Sequence, residues 1–154
     1  MRKVQAGFTI IEVMVVVVII GVLATIAVRA ANEYAARAKV SEAILALTNC
    51  RTLVSEIYLT ADTTPGVGEP WGCEATNHSK YVDTIGVDEY GIITVGLRGF
   101  GDLRLDFHNI TMAPLDNSGA LMSTMGRVAR WRCGASGDGT DVSVDRLPST
   151  CRGF

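Results

Sequence analysis

Apolar residues run from Phe8 to Val28 with only Thr9, Glu12 and Thr25 as polar side chains among them. As an α-helix rising roughly 1.5 Å per residue, such a run spans about 32 Å, one hydrocarbon thickness of a bilayer. Periodicity then changes but does not stop. Val40, Ile44, Leu47, Val54 and Tyr58 recur at three-, four- and seven-residue steps, flanked by Ala43, Ala46, Cys50, Leu53 and Ile57. Lys39, Glu42, Arg51 and Glu56 fall on the remaining faces, so this half is amphipathic. The pattern predicts one helix of about 50 residues, Phe8 to roughly Leu59, its first half in membrane and its second packed on a head.

Turn chemistry follows at Asp62-Thr63-Thr64-Pro65-Gly66 and Glu69-Pro70, and a loop is expected to continue to about Glu89. Tyr90 to Leu97 alternates around Ile93, Val95 and Leu97 and predicts a strand. Arg98 to Asp102 reads as a turn, and Leu103 to Phe107 alternates apolar with charged residues as a second strand, continuing toward Met112. Pro114 to Gly119 is another turn, Arg127 to Cys133 a third strand, and Val142 to Val144 a short one in a tail rich in Gly, Ser and Asp. The expected class is α+β: a long amino-terminal helix on an antiparallel sheet of three or four strands.

Glu12 is the residue that an ordinary membrane anchor does not explain. A carboxylate at bilayer depth is expensive and calls for a partner. Ahead of the run lie seven residues, Met1 to Gly7, with Arg2 and Lys3 as their charges, which keeps this end on the cytoplasmic side. No small-residue signal cleavage site follows the apolar run, since Ala30-Ala31-Asn32 leads straight into the helical pattern. The small residue precedes it, at Gly7. A cut there keeps the helix and frees an α-amine on Phe8, cationic below a pH of about 8. Amine and carboxylate of axially offset helices are then opposite charges in an apolar setting, where a pair is tolerable and a lone charge is not.

Gly7-Phe8-Thr9-Ile10-Ile11-Glu12 followed by an apolar run resembles the prepilin signal of type IV pilins. The resemblance implies a leader over residues 1–7, a polymerisation helix over 8–30 and a periplasmic or extracellular head over 31–154. It implies cleavage between Gly7 and Phe8 and N-methylation of Phe8 by a prepilin peptidase, with Glu12 as the assembly residue. The implied life history starts in the bacterial inner membrane and ends in an extracellular filament, a homopolymer raised by pilus assembly machinery. Adhesion, twitching motility and DNA uptake are the roles implied. A minor pilin and a type II secretion pseudopilin share the same leader. Where the family often has a proline, this chain has Arg29, which permits helix continuity.

Four cysteines, Cys50, Cys73, Cys133 and Cys151, contain no Cys-x-x-Cys pair, which argues for disulfides rather than zinc. Three pairings are open. The local one, Cys50–Cys73 with Cys133–Cys151, closes loops of 22 and 17 intervening residues. Trp131-Arg132-Cys133 and Leu147 to Cys151 look like the disulfide-bounded end region of type IVa pilins, whereas major pseudopilins tend to carry a calcium loop there.

Without the leader, Lys plus Arg falls to 12 against 16 acidic residues, a balance of −4 that offers no wholesale attraction to nucleic acid. Arg127, Arg130 and Arg132 are the candidate strip for a DNA contact, and a DNA-binding surface module is the rival of another class. A solvated strand face is the plainer account of the three. Enzyme chemistry finds little support: His78 and His108 have no motif neighbours. Ser136 to Asp141 has closely spaced oxygens but lacks the terminal bidentate glutamate of a calcium loop. Asn77-His78-Ser79 and Asn109-Ile110-Thr111 fit the glycosylation sequon. No cofactor and no metal are expected.

Overall fold

A computed structural model describes residues 7–66, 68–76 and 79–153. The chain divides into two units, residues up to Ala35 and residues from Ala36 onward, each described by itself. Helix α1 runs Ile10–Thr60, helical through both Gly21 and Arg29. In the first unit every described side chain is exposed, and this stretch is long and apolar enough to cross a membrane.

The second unit folds around the stripe anticipated from sequence. Val40, Ala43, Ala46, Leu47, Cys50, Val54 and Tyr58 are buried on one side of α1. Against them lies an antiparallel meander in the order β1-β2-β3-β4-β5. Its strands are β1 (Ala75–Thr76), β2 (Val82–Val87), β3 (Ile93–Leu97), β4 (Asn109–Leu115) and β5 (Arg130–Cys133). Ile93, Val95 and Leu97 alternate inward, as do Ile110 and Met112 opposite them, and these join the helix stripe in one core. Among the described residues, five strands stand where three or four were expected.

Three segments depart from expectation. The supposed loop up to Glu89 contains β1 and β2. Its inward residues Val82 and Ile85 are three apart because the register shifts between them, which erases the period of two. Leu103 to Phe107 is a turn, not a strand. The backbone N–H groups of Leu105 and Asp106 donate to the Asp102 carbonyl, while the Asp106 carboxylate accepts from Phe100 and Gly101. Short acidic side chains offer the backbone an alternative to the ladder, and here that alternative prevails. Val142 to Val144 is also no strand: Val142 is buried, and Val144–Arg146 forms a 3₁₀ turn. The third expected strand begins only at Arg130, and Tyr90 belongs to a turn gathered by the Asp88 carboxylate.

Cys50 is bridged to Cys73 and Cys133 to Cys151, with Cα separations of 5.3 and 4.6 Å. Beside the first bridge, the Glu74 carboxylate accepts from the backbone N–H of Trp71 (2.6 Å), Gly72 (2.8 Å) and Cys73 (3.1 Å). Partial burial pushes its pKa up, but the amides outweigh it and hold the group below its ordinary 4.5. A depressed carboxylate stabilises the fold above the unfolded pKa and loses that contribution as pH falls through the folded one. Thermal midpoints of the detergent-solubilised chain should therefore drop as pH falls below about 4.5, and Glu74→Gln should flatten that decline. Parallel pH profiles would contradict this role.

Candidate assembly site

Glu12 sits in the first turn of α1, where the exposed N–H groups and the positive end of the helix dipole favour a negative charge. Its carboxylate accepts from the backbone N–H of Thr9 at 2.9 Å and from the Thr9 hydroxyl at 2.8 Å. In return the Thr9 hydroxyl accepts from the Glu12 N–H at 3.4 Å. This is a reciprocal capping box, with Thr9 at the cap and Glu12 three residues on. The pattern Thr-x-x-Glu ahead of an apolar run was the sequence signal for it.

Phe8 stands ahead of this cap with its ring exposed. Gly7 has open space where a Cβ would stand, and its backbone is not in the left-handed region. Among the described residues, then, nothing in the fold demands glycine there. Around Glu12, the exposed surface of residues 10–28 is almost wholly Val, Ile, Leu, Met and Ala. An apolar helix with an unburied surface and one capped carboxylate is built to be covered by lipid or by other helices.

The other candidates are scattered over the head. Arg130 and Arg132 lie on one face of β5 and Arg127 precedes the strand. Arg132 is closed by a bidentate pair with Asp138, Nε to Oδ2 at 2.8 Å and Nη2 to Oδ1 at 2.6 Å, which raises its pKa. Its donors are therefore engaged within the chain, while Arg127 and Arg130 are exposed. In the Ser136 to Asp141 segment, Asp138 serves Arg132 and Asp141 accepts from the Asn109 N–H at 2.5 Å. His108 lies with Nδ1 3.3 Å from Asp141, and Thr111 of the second sequon is buried against Thr140. Asn77 and His78 lie outside the described residues.

Two family models match the chain. The one described as pilin, a bacterial filament, covers residues 36–152, and the prokaryotic N-terminal methylation motif covers residues 2–28. The type IV major pilin protein PilE1 of Neisseria gonorrhoeae is 32% identical, with 99% of this chain and 89% of the relative aligned. The fimbrial protein EcpC of Eikenella corrodens is 31% identical over 99% of this chain and 94% of its own. A fimbrial protein of Neisseria meningitidis serogroup B is 31% identical over 99% and 96%. The match thus runs through both the apolar helix and the disulfide-closed head, and the chain belongs to the type IV pilins, structural subunits of bacterial filaments.

Proposed function

We propose that the chain enters the bacterial inner membrane as a prepilin, is cut between Gly7 and Phe8, is methylated on the Phe8 amine and polymerises as a major-type subunit. The observation that carries this reading is the single carboxylate of Glu12 on an apolar surface with no basic side chain between Phe8 and Val28. In an assembled core the cation available to it is the amine that cleavage creates on a neighbouring subunit's Phe8. That pair sets the axial stagger, and the surrounding Val, Ile and Leu side chains supply cohesion as they leave lipid for helix-to-helix packing. The methylation-motif match over residues 2–28 and relatives named as major pilins support it. Adhesion, twitching motility and DNA uptake are the roles such a filament would serve, with the prepilin peptidase and the assembly machinery as partners.

Mass spectrometry of the main band from sheared surface filaments tests this directly. The expected subunit starts at Phe8, is one methyl group heavier than the unmodified chain, and has all four cysteines oxidised. A surface filament whose subunit retains Met1 to Gly7 would overturn the processing step. The DNA-contact alternative draws less support, because Asp138 already neutralises Arg132.

A further inference from the structure

Among the described residues, one buried side-chain nitrogen or oxygen has no hydrogen-bond partner, Nδ1 of His108. Such atoms are rare and costly in folded proteins, and the reason for this one lies beside it. Oδ2 of Asp141 stands 3.3 Å away, within reach of an ion pair with a charged ring. The other oxygen of that carboxylate accepts the Asn109 N–H at 2.5 Å, and the Asp141 N–H donates to the Asn109 carbonyl at 3.2 Å. Asp141 therefore fastens the tail to the first residue of β4, and His108 immediately precedes that residue. Next to Asp141, the Thr140 hydroxyl accepts the Thr111 N–H at 3.0 Å and meets the Thr111 hydroxyl at 2.7 Å.

Besides the tail, two elements hold His108. Leu97 at the end of β3 donates its N–H to the His108 carbonyl, and the Leu105 carbonyl of the preceding turn accepts the His108 N–H. Charged groups of these elements are turned to other partners. The Asp106 carboxylate accepts from the Phe100 and Gly101 N–H groups, Arg104 pairs with Asp102, and Arg98 pairs with Asp83. In the tail, Arg146 reaches Asp102 and Asp145, while Asp138 is closed on Arg132. Asp141 is thus the one charged group within ion-pair distance of the ring among the described residues.

We propose that His108 is a pH-dependent latch, whose protonation draws Asp141 and the disulfide-closed tail onto the start of β4. Histidine is the side chain whose charge ordinarily changes between about pH 5 and 8. A neutral ring brings no charge to the carboxylate, and its Nδ1 is left unbonded in this placement. A protonated ring carries a hydrogen on both nitrogens, so Nδ1 donates to Oδ2 and the bond is charge-assisted. A cation that gains an anionic partner in the closed form stabilises that form at the acid end of the range. That contribution is lost as pH rises. The tail is accordingly held tightest in mildly acid medium and more loosely above neutrality.

The test follows amide hydrogen exchange at Thr111, in the full chain in detergent, between about pH 5 and 8. Thr111 reports on the tail because Thr140 binds its N–H, and its chain neighbours are unaltered in the variants below. Its protection, taken relative to an unstructured chain at each pH, should rise about two- to fivefold from the alkaline to the acid end, the scale of a partly exposed ion pair. His108→Gln is neutral throughout, and Asp141→Asn keeps an acceptor for the Asn109 N–H. Each should abolish the rise, and combining them should change its slope no further. A rise that survives in either variant would overturn the latch, as would flat or falling protection in the unsubstituted chain. Nitrogen NMR of the His108 ring gives a reading that needs no variant. At the acid end Nδ1 should carry a proton shielded from exchange with water, and a freely exchanging one would equally defeat the proposal.

Discussion

Cells expressing Glu12→Ala should hold the cleaved subunit at normal levels in their membranes and yet shed almost no filaments. If Glu12 pairs with a neighbouring subunit's Phe8 amine as proposed, removing the carboxylate strands that amine in an apolar core. The loss of polymerised subunits should therefore be on the order of a hundredfold or more, the scale on which such disruptions act. The capping box offers a second account of any such defect, because Glu12 also holds the Thr9 N–H and hydroxyl. Two further variants separate the accounts. Thr9→Ala removes the hydroxyl of the cap and leaves the carboxylate, at a local cost of about 0.5–2 kcal/mol in helix stability. It should still form filaments. Glu12→Gln keeps an acceptor oxygen for the cap and removes the charge, and it should fail nearly as badly as Glu12→Ala. Filament counts by electron microscopy, normalised to membrane-inserted subunit, read all three. Normal filaments from Glu12→Gln would show that the negative charge has no part in assembly.

The parts of this molecule most legible in its sequence were those written as long periods. A membrane-length apolar run and a core stripe from Val40 to Tyr58 each repeat over many residues, so α1 was expected from Phe8 to Leu59 and runs Ile10–Thr60. Thr9 and Glu12 carry two signals at once, a charge at bilayer depth and the Thr-x-x-Glu spacing of a capping box, and the second concerns hydrogen bonds that a hydropathy pattern does not record. Short elements fared worse for identifiable reasons. The period of two in β2 is broken by the shift between Val82 and Ile85, and β1 is only two residues long. Leu103 to Phe107 has the alternation of a strand, but the carboxylates of Asp102 and Asp106 bind nearby backbone amides and curl it into a turn. Hydrophobic pattern records which side chains are apolar; it does not record which backbone groups a neighbouring carboxylate will claim. Arg132 shows the same limit, since its partner Asp138 lies beyond the strand in a 3₁₀ turn.

Loss of the carboxy-terminal bridge should be a large and local blow to the head. Cys133 and Cys151 close a loop whose ends are 18 positions apart, and constraining a loop of that size stabilises the fold by about 3 kcal/mol on the chain-entropy model. For a unit of this size, the double variant Cys133→Ala with Cys151→Ala should unfold roughly 10–20 °C lower. Circular dichroism of the full chain in detergent measures it. The effect should also be localised. The bridged segment places Thr140 against Thr111 and Asp141 against Asn109, extending cover along β4 where β5 stops. At Gly134 the chain passes so close to Cys151 that a Cβ would sit 2.5 Å from its carbonyl oxygen. Hydrogen exchange in the variant should therefore quicken at Asn109 and Thr111, whose N–H groups donate to Asp141 and Thr140 of the closed loop, and at Gly134, whose N–H donates to the Thr111 carbonyl, while Val95 in β3 stays slow. Removing Cys50 and Cys73 instead should expose the Trp71 to Ala75 segment and leave Thr111 protected. If both variants loosened β3 and β4 to the same extent, the tail would not be a separately fastened flap, and its bridge would act on the head as a whole.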